Sequence, residues 1–144
     1  AGDFGVSASY QTDDVNATDN EWMVGAGYSF GAISVGAAVG STDGAQGDFW
    51  AAGLSGSAGA FSYTVLVSDH DGAAHDVAYG FSGAYAVSSA TAIQFAYAGG
   101  GDDADEDSYG IGASHDLGGG VTLKGGVGSS NDTTMADFGV SFSF

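Results

Sequence analysis

The 144-residue sequence predicts an all-β fold, namely an antiparallel up-and-down transmembrane β-barrel in which ten strands can be counted. Two observations lead to this prediction. Apolar side chains recur at every second position along most of the chain, and this alternation is typical of strands because successive strand side chains point to opposite faces. Glycine contributes 27 residues, a density that argues against helices because glycine lowers helix propensity. The length is that of one domain, which we assign to residues 1–144.

Each predicted strand has an apolar set and a set of small residues. The clearest example is the segment 22–30, where Trp22, Val24, Tyr28 and Phe30 alternate mostly with glycine and serine. Strands of about ten residues are long enough to cross a bilayer when they are tilted. In chain order the predicted strands cover residues 4–10, 22–30, 33–40, 50–58, 61–68, 77–87, 93–97, 109–114, 121–127 and 136–144.

The connections between these segments are alternately long and short. Short turns are predicted around residues 31, 59, 88–89 and 118–120, and long polar loops over 11–21, 41–48, 68–76, 99–107 and 128–134. The long loops hold 15 of the 18 acidic residues, whereas the chain has one basic residue. If neighbouring strands are antiparallel, the long loops meet at one end of the sheet. We therefore expect one strongly negative end and one nearly neutral end.

The set of small residues favours a membrane barrel over a soluble β-sandwich. A soluble sheet needs polar residues on its water-facing side, but here that side carries glycine, serine and alanine almost without charge. In a membrane barrel the apolar set contacts lipid, aromatic residues near the strand ends form girdles, and the second set lines the lumen. A single basic residue also excludes nucleic acid as a partner, and the absence of cysteine excludes disulfides.

The last third of the chain resembles a known family. Residues 109–127 are similar to the penultimate hairpin of the general diffusion porins of Rhodobacter-type alphaproteobacteria, and residues 135–144 are similar to their final strand. Phe144, with Phe142 before it, resembles the C-terminal signal that the outer-membrane assembly machinery reads in such proteins.

The resemblance carries expectations about the whole assembly. Porins of this kind have about 16 strands, so it implies that the ten strands are the C-terminal part of a larger porin barrel. An N-terminal porin segment is then expected as a partner, and the resemblance further implies a homotrimer. A genuine ten-stranded barrel is the alternative, but an interior of small residues favours a wider pore, because small barrels fill their lumen with side chains.

Four polar residues are candidates for the pore lining. By their parity Thr122, Lys124, Gln94 and Asp137 fall on the side opposite the apolar set. Lys124 is then the one fixed positive charge of the lumen, or alternatively a side chain that extends to the interface from a turn.

The loop 101–107 is the candidate metal site, since it places five carboxylates within six positions. Oxygen-rich loops suit Ca²⁺, which takes 6–8 oxygen ligands. The porins that this chain resembles carry calcium, so the resemblance also implies a calcium site. We expect Asp102, Asp103, Asp105 and Asp107 to bind Ca²⁺ or to join lipopolysaccharide through divalent ions. The alternative is a solvated acidic loop without bound metal.

These observations predict an outer-membrane porin, which is not an enzyme. The channel is expected to be water-filled, to let small hydrophilic solutes diffuse passively, and to prefer cations because its rim is acidic. Its surroundings are outer-membrane lipid and lipopolysaccharide. A secreted glycine-rich β-fibril protein is one alternative. A ten-stranded outer-membrane protease is a remote second one, for which the candidate cluster consists of Asp69, His70, Asp71, His75 and Asp76.

Overall fold

The computed structural model describes residues 2–12, 20–43, 47–71, 76–101 and 107–143. These residues form ten strands in one sheet, which confirms the predicted all-β class and strand number. None of the described residues belongs to a helix long and apolar enough to cross a membrane. The strands are β1 (Asp3–Gln11), β2 (Glu21–Phe30), β3 (Ile33–Thr42), β4 (Asp48–Ala58), β5 (Phe61–His70), β6 (Ala78–Ala86), β7 (Thr91–Gly99), β8 (Ser108–Gly118), β9 (Val121–Ser130) and β10 (Thr133–Phe142).

Each strand pairs in antiparallel fashion with the next one along the chain, so the sheet has the order β1 to β10. Within the described residues β1 and β10 form the two edges and do not pair with each other. The connections after β1, β3, β5, β7 and β9 meet at one end, which we name the acidic end, and those after β2, β4, β6 and β8 meet at the turn end. An open sheet favours part of a wider wall over a closed ten-stranded barrel.

The register keeps the apolar sets of all strands on one face, which we name the apolar face. Directly opposite residues on paired antiparallel strands share a face, and a slip of one residue would move an apolar set to the other face. The one irregularity in the described pairings is a bulge between Asp116 and Gly118. A single cross-strand row of the apolar face contains Phe4, Tyr28, Val35, Leu54, Val65, Phe81, Tyr97 and Tyr109.

The other face, which we name the small-residue face, carries mainly glycine, alanine and serine. These residues also meet across the strands in register, so that bare backbone is exposed over several neighbouring strands. One such row runs through Gly5, Gly27, Gly36, Gly53, Leu66 and Gly80.

The sheet has no hydrophobic core among the described residues. The buried residues in the described ranges are Gly25, Gly40, Gly83 and Gly99. Large apolar side chains instead point outward from the apolar face, and the exposed fraction of Phe138 is 76%. An exposed apolar surface of this extent marks a surface that another apolar medium covers. The hydrocarbon region of a membrane is such a medium, and it explains how a sheet without a core can be stable.

The predicted long loop at 128–134 is wrong. β9 continues to Ser130 and β10 begins at Thr133, so that only Asn131 and Asp132 connect them. Both residues have positive φ, at 49° and 58°, which is the geometry of a two-residue type I′ hairpin turn. Asparagine and aspartate tolerate this left-handed conformation better than other non-glycine residues. The sequence prediction overlooked this turn chemistry and treated a run of polar residues as a loop.

Candidate functional site

The small-residue face is concave. Among the described residues, one hollow of about 910 Å³ opens over β5 to β10, and another of about 810 Å³ opens over β1 to β5. Thr64 borders both hollows. The residues that line the two hollows are mostly glycine, alanine and serine. Because these residues are small, the backbone lies close to the surface and the space above it remains open. The face therefore has the form of a wall beside a wide space.

The structure brings the four predicted pore-lining residues to this face. Gln94 and Asp137 lie in one cross-strand row, in which two glycines separate them, and both line the larger hollow. Thr122 lies opposite Asp116 of β8 on one side and Ser141 of β10 on the other. Lys124 lies on β9, two residues out of register with Asp137 on the neighbouring strand, so the two residues are diagonal neighbours on one face. That these residues face water in a pore stays a prediction.

Large apolar side chains also lie on the small-residue face and were not predicted as part of the lining, among them Leu66 and Met135. Leu66 is 57% exposed and covers Gly53, because a Cβ built at Gly53 would be 2.8 Å from Leu66 Cδ2. Met135 borders the larger hollow. Their positions follow from the same parity that assigned the polar residues, so the sequence contained the signal. Leu66 interrupts the bare backbone row between the two hollows.

Charge is concentrated at the acidic end. Of the eleven acidic residues that the structure describes, eight lie there, in the first or last residues of strands or in the connections. The sole basic residue, Lys124, lies within β9 and not at this end. The eight acidic residues are Glu21, Asp43, Asp48, Asp69, Asp71, Asp76, Asp107 and Asp132.

The predicted calcium ligands fall mostly outside the described residues, which include Asp107 but not Asp102, Asp103 or Asp105. The Asp107 carboxylate accepts a hydrogen bond from the hydroxyl of Tyr97. No three histidine, cysteine, aspartate or glutamate side chains within the described ranges are grouped so that they could hold a metal ion. The calcium site therefore stays a prediction.

Aromatic rings form a continuous chain over β5, β6 and β7 on the apolar face. The ring centroids of consecutive members lie between 5.6 and 6.2 Å apart, within the range of favourable aromatic pairs. Gly83 lies beneath this chain, since a Cβ added there would collide with the Phe95 ring and approach that of Phe61. In spatial order the chain consists of Tyr63, Phe61, Phe95, Phe81, Tyr97 and Tyr79.

The candidate protease cluster is not assembled in the described residues. Asp69 and His70 are consecutive in β5 and therefore point to opposite faces of the sheet. The Asp69 carboxylate accepts a hydrogen bond from the His70 backbone N–H at 2.9 Å, which fixes its position next to the backbone. His75 lies outside the described residues.

The predicted assembly signal is described only in part. Phe142 ends β10 on the apolar face, opposite Val121 of β9. Phe144 lies outside the described residues. Its role in assembly stays a prediction.

Comparison with known proteins gives a match to the family model of Gram-negative porins over residues 1–134. No curated protein sequence matches the chain. The family match covers nearly all strands, although the resemblance noted in the sequence was specific to the last third.

Solved porin structures share this sheet. A structure from work on the asymmetric conductivity of engineered proteins and a variant of the Rh. blastica porin with five substitutions each superpose with a TM-score of 0.74 at 26% identity, over 98% of this chain and 51% of theirs. A triple mutant of the Rhodopseudomonas blastica porin superposes with a TM-score of 0.72 at 26% identity, over 97% of this chain and 52% of its own. The chain thus spans about half the length of the porins that it matches.

Proposed function

Because this chain belongs to the Gram-negative porins, we propose that it forms the wall of a water-filled channel through which small hydrophilic solutes diffuse passively. The family locates it in the bacterial outer membrane, and family and fold together point to a channel protein rather than to an enzyme. The matches support neither a secreted fibril nor a protease.

The observation that carries the proposal is the contrast between the two faces of one sheet. The apolar face has no partner within the described residues and needs lipid to cover it. The small-residue face is concave and open, and carries few charged side chains. A sheet with these two faces separates lipid from water. The relation of one solved relative to work on conductivity is consistent with this role.

We further propose that the channel prefers cations. The acidic end carries eight of the eleven described carboxylates, and the sequence adds seven further acidic residues within the segments 13–19 and 102–106, between β1 and β2 and between β7 and β8. Negative charge at a channel mouth raises the local concentration of cations and lowers that of anions. The effect is electrostatic at long range and therefore depends on ionic strength.

Reversal potentials in a salt gradient test this preference. The protein, purified in its native assembly and inserted into planar bilayers, is expected to pass cations several-fold better than anions at about 0.01 M salt, where charges interact over about 30 Å. The ratio should approach one at about 1 M salt, where the screening length is about 3 Å. Anion preference at low salt would contradict the proposal.

A matched pair of substitutions separates the acidic end from the lumen wall. Asp76→Asn removes charge at the acidic end, and we expect a small loss of cation preference. Ala96→Arg adds a positive charge on the small-residue face beside the larger hollow, and we expect a larger shift towards anions. If neither change moves the reversal potential, the small-residue face does not line the ion path.

The partners are proposals of the same kind. We expect outer-membrane lipid and lipopolysaccharide around the apolar face, two further copies in a homotrimer, and an N-terminal porin segment that contributes further strands. Intact mass of the native complex, compared with the mass after denaturation, tests these expectations. A complex that contains neither further copies nor a second porin segment would contradict them.

The calcium proposal predicts a change in thermal stability. If Asp102, Asp103, Asp105 and Asp107 bind Ca²⁺, millimolar Ca²⁺ should raise the melting temperature of chelator-stripped protein, because a ligand that binds only the folded state stabilises it. The replacement of Asp103 and Asp105 by asparagine should abolish the increase, whereas Asp76→Asn should preserve it. An unchanged melting temperature on addition of Ca²⁺ would remove the proposal.

A further inference from the structure

A small pocket lies at the acidic end of the apolar face, over strands β2 to β5. Its volume is about 270 Å³, just below the range of about 300–1,000 Å³ that is usual for drug-sized ligand sites. It is separate from the two hollows of the small-residue face and shares no lining residue with them. Its lining consists of Trp22, Val39, Asp48, Trp50, Asp69 and Asp71, together with Gly40, Phe49 and His70, which the register places on the opposite face.

The strand register explains why these residues meet. Trp22 of β2 and Asp48 of β4 lie in one cross-strand row, on either side of a serine of β3. Val39, Trp50 and Asp69 occupy consecutive strands in the next row of the same face. Two indole rings and two carboxylates from β2, β4 and β5 therefore lie near Val39 of β3 on the apolar side of the sheet.

Short hydrogen bonds hold the Asp69 carboxylate and the main chain at Asp48. Asp69 accepts a hydrogen bond from the His70 N–H at 2.9 Å, and its side chain is half-buried. The Asp48 carbonyl accepts a hydrogen bond from the Asp71 N–H at 2.7 Å, which joins the ends of β4 and β5. The pocket is thus held by the paired strand ends.

The charge and surface of the pocket select the class of ligand. The carboxylates repel anions. Of the basic side chains, His70 lines the pocket but belongs to the opposite face by register, and the one lysine of the chain lies on β9, four strands beyond β5. Indole rings attract cations through their π faces, and Trp22 and Trp50 are 44% and 41% exposed, so their rings are accessible to a ligand. The apolar valine and the indoles favour a cation that carries methyl or methylene groups, since a bare inorganic ion loses its hydration there at high cost.

We propose that this pocket binds an organic ammonium group, with Trp22 and Trp50 supplying the aromatic walls and Asp48 and Asp69 the negative charge. The group belongs either to a free amine or to the headgroup of a lipid, because the pocket opens on the apolar face close to the membrane interface. This proposal does not depend on channel activity.

Tryptophan fluorescence reads this pocket directly, because Trp22 and Trp50 are the two tryptophans of the chain. The folded protein in maltoside micelles is titrated with tetramethylammonium chloride, with sodium chloride at equal ionic strength, and with the neutral isostere 3,3-dimethyl-1-butanol. We expect a saturable change of emission with tetramethylammonium alone. An equal response to sodium chloride, or a response to Ca²⁺ but not to tetramethylammonium, would overturn the proposal.

Conservative variants test the assigned residues. Asp69→Asn keeps the shape of the side chain and removes its charge, and it should weaken tetramethylammonium binding about tenfold. Trp50→Phe keeps an aromatic ring with weaker cation attraction and should weaken binding to a smaller extent. Asp76→Asn lies at the same end but outside the pocket and should leave the affinity unchanged. If the Asp69 and Asp76 variants weaken tetramethylammonium binding equally, the effect comes from the overall negative charge and the proposed site is refuted.

A final comparison identifies the source of the ammonium group. The protein is placed in phosphatidylcholine vesicles and in phosphatidylglycerol vesicles, and each sample is titrated with tetramethylammonium. If the lipid headgroup occupies the pocket, choline lipid shifts the emission by itself and blocks the later response. If free amines are the ligand, the response is the same in both vesicles. A loss of the response in both lipids would contradict the proposal.

Discussion

Replacement of Ala37 by arginine is expected to lower the free energy of unfolding from a lipid bilayer by about 2–4 kcal/mol. Ala37 lies in the middle of β3 on the apolar face and is exposed there. An arginine at this position carries its charge into the hydrocarbon region, where its hydration is lost. Urea titration of the protein in vesicles, followed by tryptophan emission, measures the change.

Ala96→Arg is the matched control, because Ala96 is also an exposed alanine in the middle of a strand but belongs to the small-residue face. We expect its free energy of unfolding to remain close to that of the unmodified protein, since an arginine in a water-filled lumen keeps its hydration. A reversed order of the two effects would mean that the apolar face does not meet lipid. Equal effects would argue against any difference between the two faces.

Replacement of Gly83 by valine is expected to cost about 1–3 kcal/mol through overpacking. Gly83 is buried beneath the aromatic chain, and a Cβ at this position would collide with the Phe95 ring. The ring would have to move away from Phe61 and Phe81, whose centroids lie 6.2 and 6.0 Å from its own. The same urea titration in vesicles measures the loss.

Gly139→Val supplies the comparison, because nothing lies within 4 Å of a Cβ built at Gly139 in β10. Valine favours strands, so this variant should match or slightly exceed the stability of the unmodified protein. Phe95→Ala combined with Gly83→Val should cost little more than Phe95→Ala alone, since the collision partner is then absent. Additive costs would show that Gly83 does not act through the Phe95 ring.

The sequence alone was sufficient to predict the ten strands, their faces and the charged end of the sheet. Period-two alternation is a local property: once Trp22, Val24, Tyr28 and Phe30 occupy alternate positions, strand geometry places them on one side. The assignment of Gln94 and Lys124 to the opposite face follows from the same rule. Chain order alone predicts that the acidic loops meet at one end, because an up-and-down sheet brings alternate connections to the same end.

The turn at Asn131 and Asp132 shows where local prediction failed. Both residues adopt positive φ, and their tight turn replaces the loop that polarity predicted. Polar residues occur in loops and in hairpin turns alike, so composition could not distinguish the two. The exact end points of β9 and β10 depend on their hydrogen-bonded pairing.

Which residues meet laterally was decided by the tertiary structure alone. Trp22 and Asp69 are far apart in the sequence, and only the register of four strands brings them to one pocket. The ring chain over Gly83 likewise needs three strands in register. Alternation fixes the side on which a residue lies, because that depends on its own strand. The residue that lies opposite it on the neighbouring strand depends on the pairing between the two strands. The alternation within one strand does not determine that pairing.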